Sequence, residues 1–170
     1  WSYKTGDMVR SVAISSDGEY VVAGSWDEKI YLFGKDSDTP LWHHNTEGKL
    51  YSVAISSDGE YIAAGNEDNK FYLFHKNSET PLWIYTTGAF VFSVAISADG
   101  EYIAIGSFDG KVYLFDKDSS TPLWTYSTGG NVRAVSISSD GKYIVAGSYD
   151  EKVYLFEKGS STPLWSYETN

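Results

Sequence analysis

The sequence predicts an all-β protein built of four-stranded antiparallel sheets, four of them in the chain. Three observations predict it. A 41-residue unit returns four times without a gap. Aromatic residues make up 16% of the chain, a bias towards strands. Gly, Asp and Pro punctuate each unit at the same places, as turns between short strands do. Asp17, Asp58, Asp99 and Asp140 keep the period, and so do Trp1, Trp42, Trp83, Trp124 and Trp165. The only four prolines, Pro40, Pro81, Pro122 and Pro163, keep it too. The repeats run 1–41, 42–82, 83–123 and 124–164 within one unit of 1–170, and 165–170 complete the last outer strand.

Each unit reads as four strands, a to d from inside outward. Strand a is Val9–Ser15, β-branched, with large and small residues alternating. Asp17-Gly18 is a hairpin signal. Strand b is Tyr20–Gly24, and Asp27-Glu28-Lys29 turns the chain again, with Asp109-Gly110 a more typical pair at the same place. Strand c is Lys29–Phe33. A polar loop, Lys35–Thr39, leads to Pro40 and to strand d, Leu41–His44, whose position just after proline suits a sheet edge.

Strands a and c are apolar on both faces, with Val12 and Ile14 opposite Ser11 and Ala13, and Ile30 and Leu32 opposite Tyr31 and Phe33. A sheet apolar on both faces must be sandwiched between neighbours, and a lone sheet of this size is not stable in water. Stacking copies about an axis buries every face, at roughly 1.5–3 kcal/mol per buried large side chain. That is the logic of a β-propeller. Four blades could close by themselves, at the tight end of the known range of rings, and two chains with two-fold symmetry would give a homodimer of eight blades. Trp1–Thr5 and Trp165–Thr169 are then two fourth strands for one position, and the expectation is that one of them is displaced or that the piece is cut from a longer array.

The residues Val9–Gly18, then Ala23-Gly24-Ser25-Trp26-Asp27, then strand c, resemble the WD-repeat type of propeller blade. The resemblance covers the whole chain and implies the fold, and with it a ring larger than four blades, so that the homodimer of eight blades is the expected closed form. It departs from the family pattern twice. The Gly-His pair before strand a is replaced by Gly6-Asp7, Gly88-Ala89 and Gly129-Gly130, and the Trp-Asp pair ending strand c by Leu-Phe, as at Leu32-Phe33. The family's Asp-His-Ser-Trp network therefore cannot form, although Asp27, Asp68, Asp109 and Asp150 match its turn Asp. The Trp-rich fourth strand also resembles pyrroloquinoline-quinone-type and prokaryotic surface propellers. An extracytoplasmic or cell-surface location is the expected one.

Composition narrows the function. Thirteen basic and twenty-three acidic side chains give a net charge of −10, which disfavours nucleic acid and anionic membrane surfaces as partners. There is no Cys, hence no disulfide, thiolate metal site or cysteine nucleophile. No apolar run approaches the ~18 residues of a spanning helix. The chain opens at Trp1 with neither Met nor a signal-like segment, and is expected to be a piece of something longer.

Residues that repeat four times serve the blade. Asp27 with Lys29 is read as a turn, not an acid–base pair. The Ser-Ser-Asp-Gly copies are read as turns, since the spaced acidic ligands of a calcium loop are missing. His43 and His44 are neighbours on one strand and point to opposite faces, and His44 stands where other repeats have Tyr, which suggests packing. No metal site and no cofactor are expected.

A site with a unique role must come from positions that differ between repeats. On the rim formed by the d–a and b–c loops these are Met8, Lys49, Phe90 and Asn131; Arg10, Tyr51, Phe92 and Arg133; Trp26, Glu67, Phe108 and Tyr149; and Glu28, Asn69, Gly110 and Glu151. One blade brings Phe90, Phe92 and Phe108 together, another sets Arg10 beside Trp26, and Arg133 is expected near Tyr149. Aromatics and Arg on an exposed rim are the composition of binding hot spots, and clustered apolar surface marks a partner. The candidate binding residues are Met8, Arg10, Trp26, Tyr51, Glu67, Phe90, Phe92, Phe108, Asn131, Arg133 and Tyr149. The competing reading is that they plug the channel or pack between blades. The expected function is a non-enzymatic scaffold or binding module for a protein or glycan; the alternative is a quinone-dependent dehydrogenase, against which the pattern after Asp27 speaks.

Overall fold

The computed structural model describes residues 1–169. Among them are sixteen strands and no helix. Blade 1 comprises β1 (Val9–Ile14), β2 (Tyr20–Ser25), β3 (Lys29–Gly34) and β4 (Trp42–Asn45). Blade 2 comprises β5 (Leu50–Ile55), β6 (Tyr61–Asn66), β7 (Lys70–His75) and β8 (Trp83–Thr86). Blade 3 comprises β9 (Val91–Ile96), β10 (Tyr102–Ser107), β11 (Lys111–Asp116) and β12 (Trp124–Ser127). Blade 4 comprises β13 (Val132–Ile137), β14 (Tyr143–Ser148), β15 (Lys152–Glu157) and β16 (Trp165–Glu168). Each blade is an antiparallel meander in sequence order. The sheets are offset from the sequence repeat by one outer strand: residues 1–8 precede blade 1 and belong to no sheet.

The turns follow from their residues. Gly18, Gly59, Gly100 and Gly141 all have φ between 67° and 74°, the left-handed region in which glycine carries no Cβ penalty. The Asp before each of them closes a side-chain turn: Asp17 Oδ1 accepts from Ser15 Oγ at 2.6 Å and from Glu19 N at 2.9 Å. The Ser-Ser-Asp-Gly segments are thus hydrogen-bonded turns, and no cluster of metal-ligating side chains exists among the described residues.

The three large apolar cores lie between blades; a smaller cluster, Ala23, Tyr31 and Phe33, lies on the outer face of blade 1. Val22, Ile30 and Leu32 of blade 1 pack on Leu50, Val53, Ile62 and Phe74 of blade 2. Phe71 and Leu73 of blade 2 meet Val91, Ile103, Ile105 and Phe115 of blade 3, and Val112 and Leu114 of blade 3 meet Val132, Ile144 and Phe156 of blade 4. Polar groups lock each junction at three radii. Near the hub Val53 N donates to Ser11 Oγ at 3.0 Å, Val94 N to Ser52 Oγ and Val135 N to Ser93 Oγ. At the a–b turns Ser16 N donates to the Ser57 carbonyl, Ser57 N to Ala98 and Ala98 N to Ser139. Outside, the Trp42, Trp83 and Trp124 indoles donate to the carbonyls of Lys76, Lys117 and Lys158 in the following blade.

The inner strands stand in the row β1, β5, β9, β13, and the row is open. Val12 in β1 is 65% exposed, whereas its counterparts Val53 and Val94 are 6% exposed. One chain is therefore an arc of four blades and does not close on itself.

Close approach between blades explains the glycine in the second strands of blades 1 to 3, Gly24, Gly65 and Gly106. A Cβ on Gly65 would lie 2.4 Å from Val91 Cγ1 and 3.0 Å from the Val91 carbonyl oxygen. We expect Gly65→Val to lower the urea unfolding midpoint by the equivalent of about 1–3 kcal/mol, the cost of overpacking a core. A variant as stable as the parent would contradict this packing.

Candidate functional site

The rim of the d–a and b–c loops is assembled by backbone pairs. Trp26 N donates to the Met8 carbonyl, Glu67 N to Lys49, Phe108 N to Phe90 and Tyr149 N to Asn131, all at 2.8–3.0 Å. Each pair of variable positions is thus adjacent in space. The third variable set owes its direction to a β-bulge. In every blade the pairing of the first two strands skips one residue: Val9 faces Ser25, but Ser11 faces Gly24. The same skip occurs at Tyr51, Phe92 and Arg133. A bulge re-aims the extra residue out of the ladder, and here it turns four different side chains towards the rim near the hub.

Those side chains form one continuous strip. Trp26 lies edge-on to Tyr51, with centroids 6.3 Å apart. Tyr51 stacks on Phe92 at 5.0 Å, and Phe92 on Phe108 at 4.9 Å with the rings 4° from parallel. Phe90 flanks Tyr51 and Phe108, and Tyr149 continues from Phe108 at 6.3 Å. The Arg133 guanidinium sits 3.6 Å from the Phe92 centroid and within 6 Å of Phe108 and Tyr149, an attraction of cation to ring face worth ~0.5–1 kcal/mol where exposed. Tyr149 is 61% exposed and Met8 53%. Phe90, Arg10 and Arg133 are exposed as well. The inner rings support one another, and the outer ones face solvent.

Beneath the strip a second arrangement anchors the rim. Asp27 Oδ2 accepts from the Tyr31 hydroxyl at 2.6 Å and from Gly6 N at 2.7 Å, while Asp27 Oδ1 accepts from Lys29 N. Asp109 with Tyr113 and Gly88, and Asp150 with Tyr154 and Gly129, repeat it. Burial pushes the Asp27 and Asp150 carboxyls up, but the hydrogen bonds from tyrosine and backbone outweigh it and leave both below the ordinary carboxylate value. Burial and the adjacent carboxylate push the Tyr31 and Tyr154 hydroxyls well up. An Asp that lies against its own turn and strand is an anchor, and Lys29 contributes its backbone N–H, not its amine.

Blade 2 breaks this pattern. Glu47 stands in place of the glycine and Asn66 in place of the serine that elsewhere donates to a rim carbonyl, as Ser25 Oγ does to Asp7. Asn66 Oδ1 accepts from Asp68 N and Lys70 N, its Nδ2 is buried without a partner, and Asp68 is exposed.

A family model described as outer membrane protein assembly factor BamB matches residues 26–170. The chain belongs to this family. A WD domain, G-beta repeat model matches residues 2–33, so this BamB-family chain is also similar to WD repeats at its first blade. The four four-stranded blades agree with both, and the chain is a WD-repeat-like β-propeller with likeness to quinone-type repeats. A search of the curated proteins finds no match.

The structure gathers Phe90, Phe92 and Phe108 as the sequence predicts, with Arg133 near Tyr149. It corrects one pairing. The cation over Trp26 is Lys49, 5.2 Å from the ring, and Arg10 instead reaches within 6.0 Å of Phe92, two blades away. Neighbouring blades lean together at the hub, which brings residues of different blades closer than residues of one. Lys49 was visible as a variable position but carried no sign of its aromatic partner. The Trp26 indole N–H is buried without an acceptor. Glu67 and Asn131 border the strip through the backbone pairs alone. His44 packs on Tyr72 and Phe74 of the next blade. A hollow of about 560 Å³ among Asp140, Lys142, Glu157 and Lys158 lies at blade 4 on the loops opposite the aromatic strip. Its counterpart at Glu19, Gly34 and Lys35 shows that it belongs to the repeat.

We expect Tyr113→Phe to cost about 1.5–3 kcal/mol in urea unfolding, the worth of a hydrogen bond to a charged group, and Tyr72→Phe, which breaks no bond to Asp68, to cost less. Equal losses would contradict the anchor. Because the folded values of Asp27 and Asp150 are depressed, their contribution is present above the unfolded value of 3.8 and is lost as pH falls through the lower folded values. Urea midpoints should therefore drop below about pH 4; a midpoint that stays level to pH 2 would exclude it.

Proposed function

We propose that the chain is a non-enzymatic binding scaffold that presents its aromatic and arginine rim to a protein partner. The observation that carries this is the composition of the exposed strip: Phe90, Tyr149, Met8, Arg10 and Arg133 surround the stacked Phe92–Phe108 pair. Large rigid rings and guanidinium groups contribute most of the energy in protein interfaces, at little entropic cost. The inner rings hold the strip in place before any partner arrives, which lowers the ordering cost of binding. On a chain of net charge −10, Arg10, Lys49 and Arg133 each lie over a ring of the strip, which suits a partner with carboxylates near an apolar segment. Membership of a family described as an assembly factor accords with a protein-binding role.

The repeated aspartates support the same reading. The oxygens of Asp27, Asp109 and Asp150 are occupied by blade contacts, so these three are not poised for acid–base work. The quinone-dehydrogenase alternative predicts a cofactor absorbance band after incubation with pyrroloquinoline quinone and removal of excess; we expect none.

Phe92→Glu should abolish partner capture in crosslinking pull-downs while the far-UV spectrum and melting of the domain are retained. Tyr149→Ala, at a residue with most of its surface in solvent, should weaken capture at least several-fold, the effect of losing a hot-spot ring. Capture unchanged in both variants overturns the rim reading, and capture that survives protease treatment of the ligand pool points to a glycan instead.

A further inference from the structure

The two ends of the arc carry the separated halves of one more junction. Inside the chain, the trailing face of each blade fits the leading face of the next through the same contacts three times. At the ends, each of those contacts has one member without its counterpart. Val9 is 43% exposed, whereas Leu50, Val91 and Val132 are fully buried. A Cβ on Gly24, Gly65 or Gly106 would collide with the next blade, but a Cβ on Gly147 meets nothing within 4 Å. Gly59, Gly100 and Gly141 each face a tyrosine ring of the preceding blade, and Gly18 faces open space. Lys76, Lys117 and Lys158 sit over Tyr20, Tyr61 and Tyr102, while Tyr143, the fourth of these tyrosines, is 38% exposed.

We propose that the occupant of these faces is a second copy of this chain: blade 4 of each copy docks on blade 1 of the other, closing an eight-bladed ring. Head-to-tail faces of this kind close when the rotation allows it. Propeller rings span about four to eight blades. One chain supplies four and stays open, two supply eight, and three exceed the range. Closure gives Val9 and Val12 the cover that Leu50 and Val53 already have. It also places Tyr149 against the Met8 and Arg10 positions of the partner, where Trp26 meets Lys49 and Tyr51 within the chain. The rim of rings, arginines and Met8 then continues around the ring. This proposal stands whether or not the rim binds a partner, since mass and capture are read separately.

Two features of the ends refine it. The Trp1 indole donates to the Lys35 carbonyl at 2.7 Å, the place that Trp165 of the other copy would take, because Trp42 makes this bond to Lys76. Trp1 and Tyr3 also cover Phe33. One segment must leave. Lys152 pairs with Glu168 in β16, whereas Lys4 at the matching place in the opening segment would set two ammonium groups side by side. Hence β16 keeps its edge and Trp1–Thr5 is displaced. At the hub, Ala134 replaces the serine whose Oγ accepts from the next blade, so the new junction lacks one bond that the others have.

Light scattering on the full 170-residue chain at micromolar concentration should read twice 18.9 kDa. A mass of 18.9 kDa throughout, or growth past two copies, overturns the proposal. Gly147→Val puts its side chain into space that is empty in one chain and filled in the ring, so it should fold like the parent and return to one-chain mass. Val12→Glu should do the same and serves if the first variant misfolds. Two-chain mass in a folded variant of either kind contradicts the docking face. Ala134→Ser adds one neutral hydrogen bond at each of the two junctions and should lower the dissociation constant about thirtyfold, and no tightening removes that assignment. Trp165→Ala should weaken association and Trp1→Ala should not; the reverse order would assign the closing strand to the opening segment.

Discussion

Every blade of this protein is apolar on both faces, and a sheet of four short strands has no way to hide two faces by itself. Val22, Ile30 and Leu32 look one way from blade 1, Ala23, Tyr31 and Phe33 the other. Water must be removed from both sides, so the free energy of folding resides in the joins between blades. Three of the four apolar clusters are each shared by two blades, and the fourth, Ala23, Tyr31 and Phe33, is the face of blade 1 that no other blade covers. The serine, turn and tryptophan hydrogen bonds cross the same joins. The glycines of the second strands let adjacent sheets approach until side chains of one fill the space a Cβ would occupy on the other. Shape, spacing and polar register are thus consequences of one requirement repeated along the chain.

Much of this architecture could be read from the residues. The fixed spacing of Asp17, Trp42 and Pro40 with their copies sets the unit, the Asp-Gly pairs set the turns, and alternation in strands a and c sets two buried faces. The sidedness of the rims follows from strand lengths and turn order. The bulge that turns Arg10, Tyr51, Phe92 and Arg133 out of the ladder was not legible, because a skipped pairing leaves no mark on residue types. The pairing of Arg10 with Phe92 was equally hidden, since it depends on the angle between blades. The Asp27–Tyr31 bond was within reach: the two sit four apart across a turn and return together in three blades. The departure from the WD-type network drew attention to what was lost, while tyrosine supplied a different anchor.

The same logic separates the conserved frame of the repeat from its variable rim. Asp27, Tyr31 and Gly6 hold the loops to the blade, which frees positions 10, 26, 51, 92, 108, 133 and 149 to differ without cost to the core. Blade 2 marks how far the frame tolerates change: with Asn66 and Glu47 it gives up the aspartate anchor yet keeps its fully buried Phe71 and Leu73. A surface of stacked rings capped by Arg133 on a strongly acidic chain is the feature on which the proposed binding role rests, and the open ends of the arc are the faces that the proposed second copy would cover.

The dependence of each blade on its neighbours can be measured on one sheet taken alone. Residues 88–128 contain the whole of β9–β12. Far-UV circular dichroism and thermal melting of that segment in water should show an unfolded chain with no cooperative transition. A folded single blade that melts cooperatively would contradict the claim that stability resides between the blades.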